Sequence, residues 1–204
     1  MSRSNIQKGN YLTALLRSNK TILTFKDIAL LWQEEASQAT RVRINYYVNK
    51  GELIQLRKGI YAKNRDYNRI ELATRIFTPA YVSFETVLAT TGLVFQIYDK
   101  ITVASYLTRE ITIDSQIYSF RRIKLPVLLN PLGVSHSGET SIANKERAFL
   151  DTLYTHGDYH FDNLRSLDWD IVFEILPIYE NKRMEKRVLR QYQLTQDKGK
   201  ENAA

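Results

Sequence analysis

An α+β fold in two units is what this sequence predicts, and three observations predict it. Helix-period and strand-period hydrophobic patterns both occur along the chain, with the helical stretches in the majority. Apolar residues make up 44% of the 204, enough to build real cores and to argue against wholesale disorder. The charge is segregated. Residues 1–67 carry 12 Lys and Arg against 5 Asp and Glu, which is the entire net charge of +7, and the rest of the chain carries 17 of each sign. A basic unit joined to a neutral one is the footprint of a nucleic-acid module attached to something else. A plain solubility bias is the rival explanation, and segregation this complete is uncommon for it.

The elements follow in order. Residues 4–19 read as a helix, with Ile6, Tyr11, Leu12, Leu15 and Leu16 on one side. "NKTILT" breaks that pattern, and Thr24 can cap a second helix, "FKDIALLWQEE". Ser37 can cap a third, "QATRVRINYYVNK", and Gly51 stands just past its last turn. On this third helix Thr40, Ile44, Tyr47 and Val48 share one face, which should pack inward. Gln38, Ala39, Val42, Arg43, Asn45, Tyr46 and Asn49 face away, with Arg41 at the border. Two short strands, 52–57 and 60–63, then meet at a tight Lys58-Gly59 turn.

Helix, helix, short turn, helix, two-stranded hairpin is the order of a winged helix-turn-helix. In that reading the third helix enters the major groove of duplex DNA, where Gln38, Arg41, Arg43, Asn45 and Tyr46 meet the bases. Arg57 and Lys58 at the hairpin tip, with Lys63 behind, meet phosphate or minor groove. A small helical subdomain with an ordinary solvated basic face is the competing reading. Tyr61 can also stack on or support nucleic acid, and most of the thirteen tyrosines are expected in cores.

The polar stretch 64–70 reads as a linker, so the first domain is placed at 1–67 and a larger, helix-rich α+β domain at 68–194. In the second domain a helix over 70–77 stops at Pro79. Ser83 can cap the next helix, which Gly92 ends. Residues 100–107, 110–123 and 125–131 read as strands, with Asp114-Ser115-Gln116 as a turn. "SHSGET" reads as a loop, residues 141–157 as an amphipathic helix, and residues 163–194 as two helices broken near Pro177. Residues 195–204 are expected to be a disordered tail.

A catalytic apparatus is hard to assemble, and the chain reads as a non-enzyme. There is no Gly-rich phosphate loop, no Gly-x-Ser-x-Gly elbow and no cysteine. "HGDYHFD" offers His156 and His160 with two aspartates, but Gly157 interrupts a helix there and no third ligand group stands out. "SHSGETS" fixes no acid partner for a Ser-His pair. Neither a metal nor any other cofactor is expected. Glu146 and Asp151 sit five apart on one helix, hence on different sides. No apolar run is long enough to span a bilayer, and the N-terminal residues are too polar for a signal peptide, so a soluble cytoplasmic protein without a membrane partner is expected. "NKRMEKRVLR" is a basic run on the last helix, either a solvated face or a surface for RNA, DNA or an acidic protein.

The combination of "LIQLRKGIYA", "AYVSFETVL" and "IANKERAFLD" at these separations resembles the AbiEi-type antitoxins of bacterial abortive-infection systems, over residues 8–190. One departure is Asn144-Lys145, where that family commonly has a proline before the glutamate. The resemblance implies a winged helix-turn-helix that binds operator DNA and represses its own operon. It also implies a second domain that counters a nucleotidyltransferase-like toxin without forming a stable complex with it. The surface expected to contribute to that role is Lys182, Arg183, Lys186, Arg187 and Arg190. The alternative is a stand-alone transcriptional regulator whose second domain senses a ligand or protein partner. The sequence leaves the oligomeric state open.

Overall fold

The computed structural model describes residues 11–96 and 98–201. The expected helical stretch 4–10, including Ile6, and residues 202–204 of the expected tail lie outside the described residues. The chain divides into two compact units, and the boundary falls between Ile76 and Phe77 rather than between residues 67 and 68. Among the described residues no helix is long and apolar enough to cross a membrane.

The first unit runs α1 (Tyr11–Arg17), β1 (Ile22–Thr24), α2 (Phe25–Leu31), α3 (Gln38–Asn49), β2 (Ile54–Arg57), β3 (Ile60–Ala62) and α4 (Arg69–Ile76). Its three strands form an antiparallel sheet in the order β1-β3-β2. Strand β1 is an addition to the sequence reading. Its three residues, in the segment taken only as a break, pair Ile22 with Ala62 and Thr24 with Ile60. The core gathers Leu15, Leu23, Ile28, Trp32, Ile44 and Leu53. Trp32 is the largest of them, and its indole N–H donates to the Tyr11 carbonyl at 3.0 Å, so burial leaves no polar atom stranded.

The caps read from sequence for α2 and α3 are in place. Thr24 accepts from the Asp27 N–H at 3.1 Å, and Asp27 accepts in return from the Thr24 N–H at 2.8 Å, a complete capping box. Ser37 accepts from the Thr40 N–H, and Gly51 takes φ +74° after α3. Asp27 is also paired with Lys20 at 2.8 Å and Arg75 at 3.5 Å. Partial burial pushes its carboxyl up, but Lys20, Thr24 and Arg75 together outweigh that and hold it below its ordinary value. Stability from this group is therefore complete above about pH 4 and is lost as pH falls through the lower folded value. Asp27→Asn should cost about 1 kcal/mol at neutral pH. In urea melts the gap to the wild type should close in acid. A gap that stays constant down to pH 2 would refute the pairing.

Helix α4 belongs to the first unit for a specific reason. Its Glu71 is buried and accepts from the backbone N–H of Thr21 at 3.0 Å and of Ile22 at 3.1 Å. The Thr21 hydroxyl donates to the same carboxylate at 2.6 Å. Asn68 caps the helix through the N–H groups of Ile70 and Glu71, and Tyr67 is buried. From Tyr67 onward the stretch read as a linker is thus the entry into α4, while residues 64–66 are exposed.

The second unit runs β4 (Ala80–Val82), α5 (Glu85–Thr90), β5 (Lys100–Ser105), β6 (Arg109–Ile113), β7 (Gln116–Arg122), α6 (Leu125–Leu129), β8 (Val134–Ser137), β9 (Thr140–Ala143), α7 (Lys145–Thr155) and α8 (Trp169–Ile175). A 3-10 turn, Leu176–Tyr179, leads into α9 (Lys182–Glu201). Its mixed sheet has six strands in the order β6-β7-β5-β4-β9-β8. Strands β5 and β7 are parallel, as are β4 and β9, and the other neighbours are antiparallel. The β6–β7 hairpin turns at Asp114 and Ser115 with φ of 46° and 63°, as a tight hairpin turn requires. Helix α7 packs against α5, α8 and α9.

Several sequence expectations are corrected here. "LPVLL" is a short helix, because Pro126 suits a first helical turn and supplies no ladder donor. "SHSGET" belongs to the β8–β9 hairpin rather than a loop. Helix α7 starts at Lys145 rather than residue 141, since β9 takes the preceding residues and Asn144 caps by accepting from the Arg147 N–H at 2.7 Å. Ser83 is not a cap; its hydroxyl donates to Asp151 at 2.7 Å. Helix α9 continues to Glu201, past Thr195 where a disordered tail was expected.

Candidate nucleic-acid interface

Helix α3 buries the face its spacing foretells: Thr40, Ile44 and Tyr47 are buried, and Val48 is half-buried. The opposite side splits into two strips. Gln38, Arg41 and Asn45 are exposed at i, i+3 and i+7, with Asn49 one turn further. Ala39, Val42 and Tyr46 form the other, more apolar strip, with Val42 61% and Tyr46 52% exposed. The Lys50 ammonium sits 4.6 Å from the centre of the Tyr46 ring.

Arg43 does not join the exposed polar strip. It is half-buried, ion-paired with Glu34, and its guanidinium lies 4.3 Å from the centre of the Tyr11 ring. The Tyr11 hydroxyl donates to the same Glu34 carboxylate at 2.7 Å, which holds that phenol above its ordinary pKa. Arg43 therefore clamps α3 to α1 and the α2–α3 turn, and is not presented for base reading.

The hairpin turns as its sequence suggests, with Gly59 at φ +80°. A register shift between Gln55 and Arg57 marks a bulge just before the turn. Lys58 is exposed and Arg57 half-buried. Lys63 is drawn inward: its ammonium donates to the Ser18 carbonyl, and burial pulls its pKa below the usual lysine value. Tyr61 is buried in the core and offers no free ring for stacking. So Arg43, Lys63 and Tyr61 are structural, while Gln38, Arg41, Asn45, Tyr46 and Lys58 remain on the surface.

One residue joins the two halves of this surface. The Arg41 guanidinium lies 4.5 Å from the centre of the Phe25 ring, and the Phe25 N–H donates to the Gly59 carbonyl at 2.9 Å. The first turn of α2 thus anchors the hairpin turn beside the N-terminal half of α3. A polar helix face and a basic turn are presented together.

In the second unit Met184 and Val188 are fully buried and fix α9 to the domain. Lys182, Arg183, Lys186 and Arg190 are exposed. Arg187 is half-buried, and its guanidinium lies against Gly157, where an added Cβ would come within 2.4 Å of it. Four of the five basic groups expected on this surface are therefore free of the core.

The most concentrated polar chemistry in the second unit escaped the sequence reading. Arg147 and Asp151, one turn apart on α7, are both fully buried and paired at 3.3 Å. Asp151 also accepts from Ser83 at 2.7 Å, Tyr81 at 2.9 Å and Tyr179 at 2.7 Å. Arg147 donates to the carbonyls of Leu132 at 2.7 Å and Val127 at 2.6 Å. Burial pushes the Tyr81 and Tyr179 phenols well above their ordinary pKa, and Asp151 adds to the effect. Burial also pushes the Asp151 carboxyl up, against the pull of Arg147. The side chains here are buried and hydrogen-bonded, so the cluster ties β4, α6, α7 and the 3-10 turn together. The visible signal was an Arg-x-x-x-Asp pair enclosing the apolar Ala148, Phe149 and Leu150.

The histidines lie apart from this cluster. His136 shares a 2.8 Å hydrogen bond with Ser141 across the β8–β9 hairpin, in the open. His160 is exposed, 3.7 Å from the Asp162 carboxylate. Among the described residues no group of three His, Asp or Glu is placed to hold a metal ion.

No protein-family model matches the chain, and no curated protein matches it. Among solved structures it is similar to the RV2827C protein from Mycobacterium tuberculosis, with a TM-score of 0.51 at 13% identity. That similarity covers 88% of this chain and 74% of the other. At this identity the likeness is one of fold.

Proposed function

We propose that the first unit is a winged helix-turn-helix that binds duplex DNA, with α3 as the recognition helix and the β2–β3 hairpin as the wing. The observation that carries this reading is the convergence of Arg41 and the Lys58-Gly59 turn on Phe25. It sets side chains able to read base edges beside a basic turn suited to phosphate. Gln38 and Asn45 can pair with adenine, and Arg41 with guanine. The whole net positive charge lies within residues 1–67, which supports the same reading.

The chain then acts as a cytoplasmic DNA-binding antitoxin that represses its own operon. Its second unit counters a nucleotidyltransferase-like toxin without a stable complex. This part rests on the motif resemblance, supported by the exposed Lys182, Arg183, Lys186 and Arg190 of α9. A stand-alone regulator whose second unit senses a ligand is the second reading, and an open, cation-lined groove in that unit favours it.

The test of the DNA-binding reading is salt dependence. Affinity of the full chain for duplex DNA, measured by fluorescence anisotropy, should fall linearly on a log–log plot as salt rises, because Lys and Arg displace counterions from phosphate. Lys58→Ala should make the slope shallower by about 1. A flat response between 50 and 200 mM salt would overturn the reading, since even a modest number of phosphate contacts costs orders of magnitude over roughly that range.

A further inference from the structure

The groove of the second unit lies between the β6–β7 hairpin, the end of α7 and the start of α9, and its volume is about 790 Å³. Arg109, Arg121, Arg122, Lys124, His156 and Asn181 line it. They come from five separate elements or connections, so no single helix periodicity explains why four permanent cations meet there. Glu110 is the one carboxylate among the lining residues.

Three of the four cations are not neutralised by neighbours. Arg109, Arg122 and Lys124 are exposed and have no carboxylate partner among the described residues. Arg121 is different, and usefully so. Its side chain is only 17% exposed, its guanidinium lies 2.9 Å from the buried Glu85 carboxylate, and it covers the Phe84 ring at 4.9 Å. It is a fixed fork in the groove wall, on the face of β7 opposite to that of Arg122. Burial and the charge of Arg121 hold the His156 imidazole below its ordinary pKa, which keeps the ring neutral and able to donate or accept a hydrogen bond. Asn181 caps α9 through the N–H groups of Arg183 and Met184, so the positive end of a 20-residue helix opens at the same place.

The shape selects among anions. A phosphodiester chain needs cations strung along a track, whereas these line one open groove whose volume suits a small ligand. Clustered arginines favour several phosphates in a row, which they bind through paired N–H donors. The remaining wall supplies the half-buried Tyr154 ring and the hydroxyls of Thr108 and Ser119, which suit a base and a ribose.

We infer that this groove binds a nucleoside triphosphate, with its phosphates on Arg109, Arg122 and Lys124 and its nucleoside towards Tyr154. The inference stands independently of the DNA-binding reading, which concerns the other unit.

Titration calorimetry on the full chain tests it, with ATP, GTP, CTP and UTP as separate probes and inorganic tripolyphosphate and a ten-nucleotide single-stranded RNA as comparisons. At least one triphosphate should bind one to one and more tightly than tripolyphosphate. The double variant Arg122→Glu, Lys124→Glu should weaken that binding about tenfold or more, because it removes two charge-assisted contacts and adds repulsion. Both side chains are exposed, so the melting temperature should not move. Four outcomes would overturn the inference: no nucleotide binds; nucleotide binding ignores the double variant; tripolyphosphate binds as well as any nucleotide; or RNA alone binds through these residues.

Discussion

Asp151→Ala should destabilise the second unit by about 3–5 kcal/mol, the cost of leaving a buried charge without its partner. In the native protein the Arg147 guanidinium is shut away from water and rests on one carboxylate, two carbonyls and the Tyr81 hydroxyl. Removing the carboxylate leaves that charge uncompensated and strips an acceptor from Ser83, Tyr81 and Tyr179 as well. No rearrangement can admit water cheaply, because Phe149, Leu150 and Leu153 pack the same helix. A loss of this size is a large part of the 5–15 kcal/mol typical of a folded domain.

The effect should also be non-additive. Arg147→Met with Asp151→Leu removes both charges, so it should cost less than the two single variants summed, with a coupling of roughly 0.5–3 kcal/mol. Guanidinium melts of the wild type, Asp151→Ala, Arg147→Met, Asp151→Leu and the double variant decide this. An Asp151→Ala protein within about 1 kcal/mol of the wild type would mean that the pair does not hold the unit together.

The first unit was legible because its signals are local. Thr24, Ser37 and Gly51 act within a few residues of where they stand, as does Gly59 in the hairpin turn. Strand β1 was not legible, since three residues are too few for a period and its partner lies forty residues away in sequence. Nothing local marks Glu71, and only the folded chain shows it satisfying two backbone donors of that region.

Long-range chemistry was the general obstacle in the second unit. "LPVLL" has the composition of a buried strand, and periodicity cannot separate that from a helical turn in five residues. The Arg147 and Asp151 pair has the same spacing as a solvated helix pair, and what buries it is contributed by β4, α6 and the 3-10 turn. The same limit applies to Arg43. Its helical position points outward, yet Glu34 and Tyr11 reach over to enclose it. The groove cations were individually visible, but only the antiparallel β6–β7 pairing and the return of α9 set them along one groove.

The central claim is that α3 reads sequence while the hairpin supplies contacts blind to it. Gln38, Arg41 and Asn45 lie on one exposed strip of α3, and each can make a paired contact to one base. Each such contact is worth about 1–3 kcal/mol of discrimination, so on this proposal the three together should dominate the preference of the protein for its site. Lys58 at the exposed turn offers a point charge with no directional match to a base edge. Arg43, enclosed by Glu34 and Tyr11, should behave as a stability residue, so Arg43→Ala should lower the melting temperature and leave base preference intact.

The decisive measurement is selection of the full-length protein from a random duplex library at fixed salt, followed by affinities of the variants for the selected duplex and its single-base substitutions. The account predicts that Gln38→Ala, Arg41→Ala and Asn45→Ala each flatten the preference at one position by about 1–3 kcal/mol. Lys58→Ala should weaken every duplex alike. Failure of the wild type to enrich any sequence, or retention of wild-type affinity and preference by all three α3 variants, would contradict it.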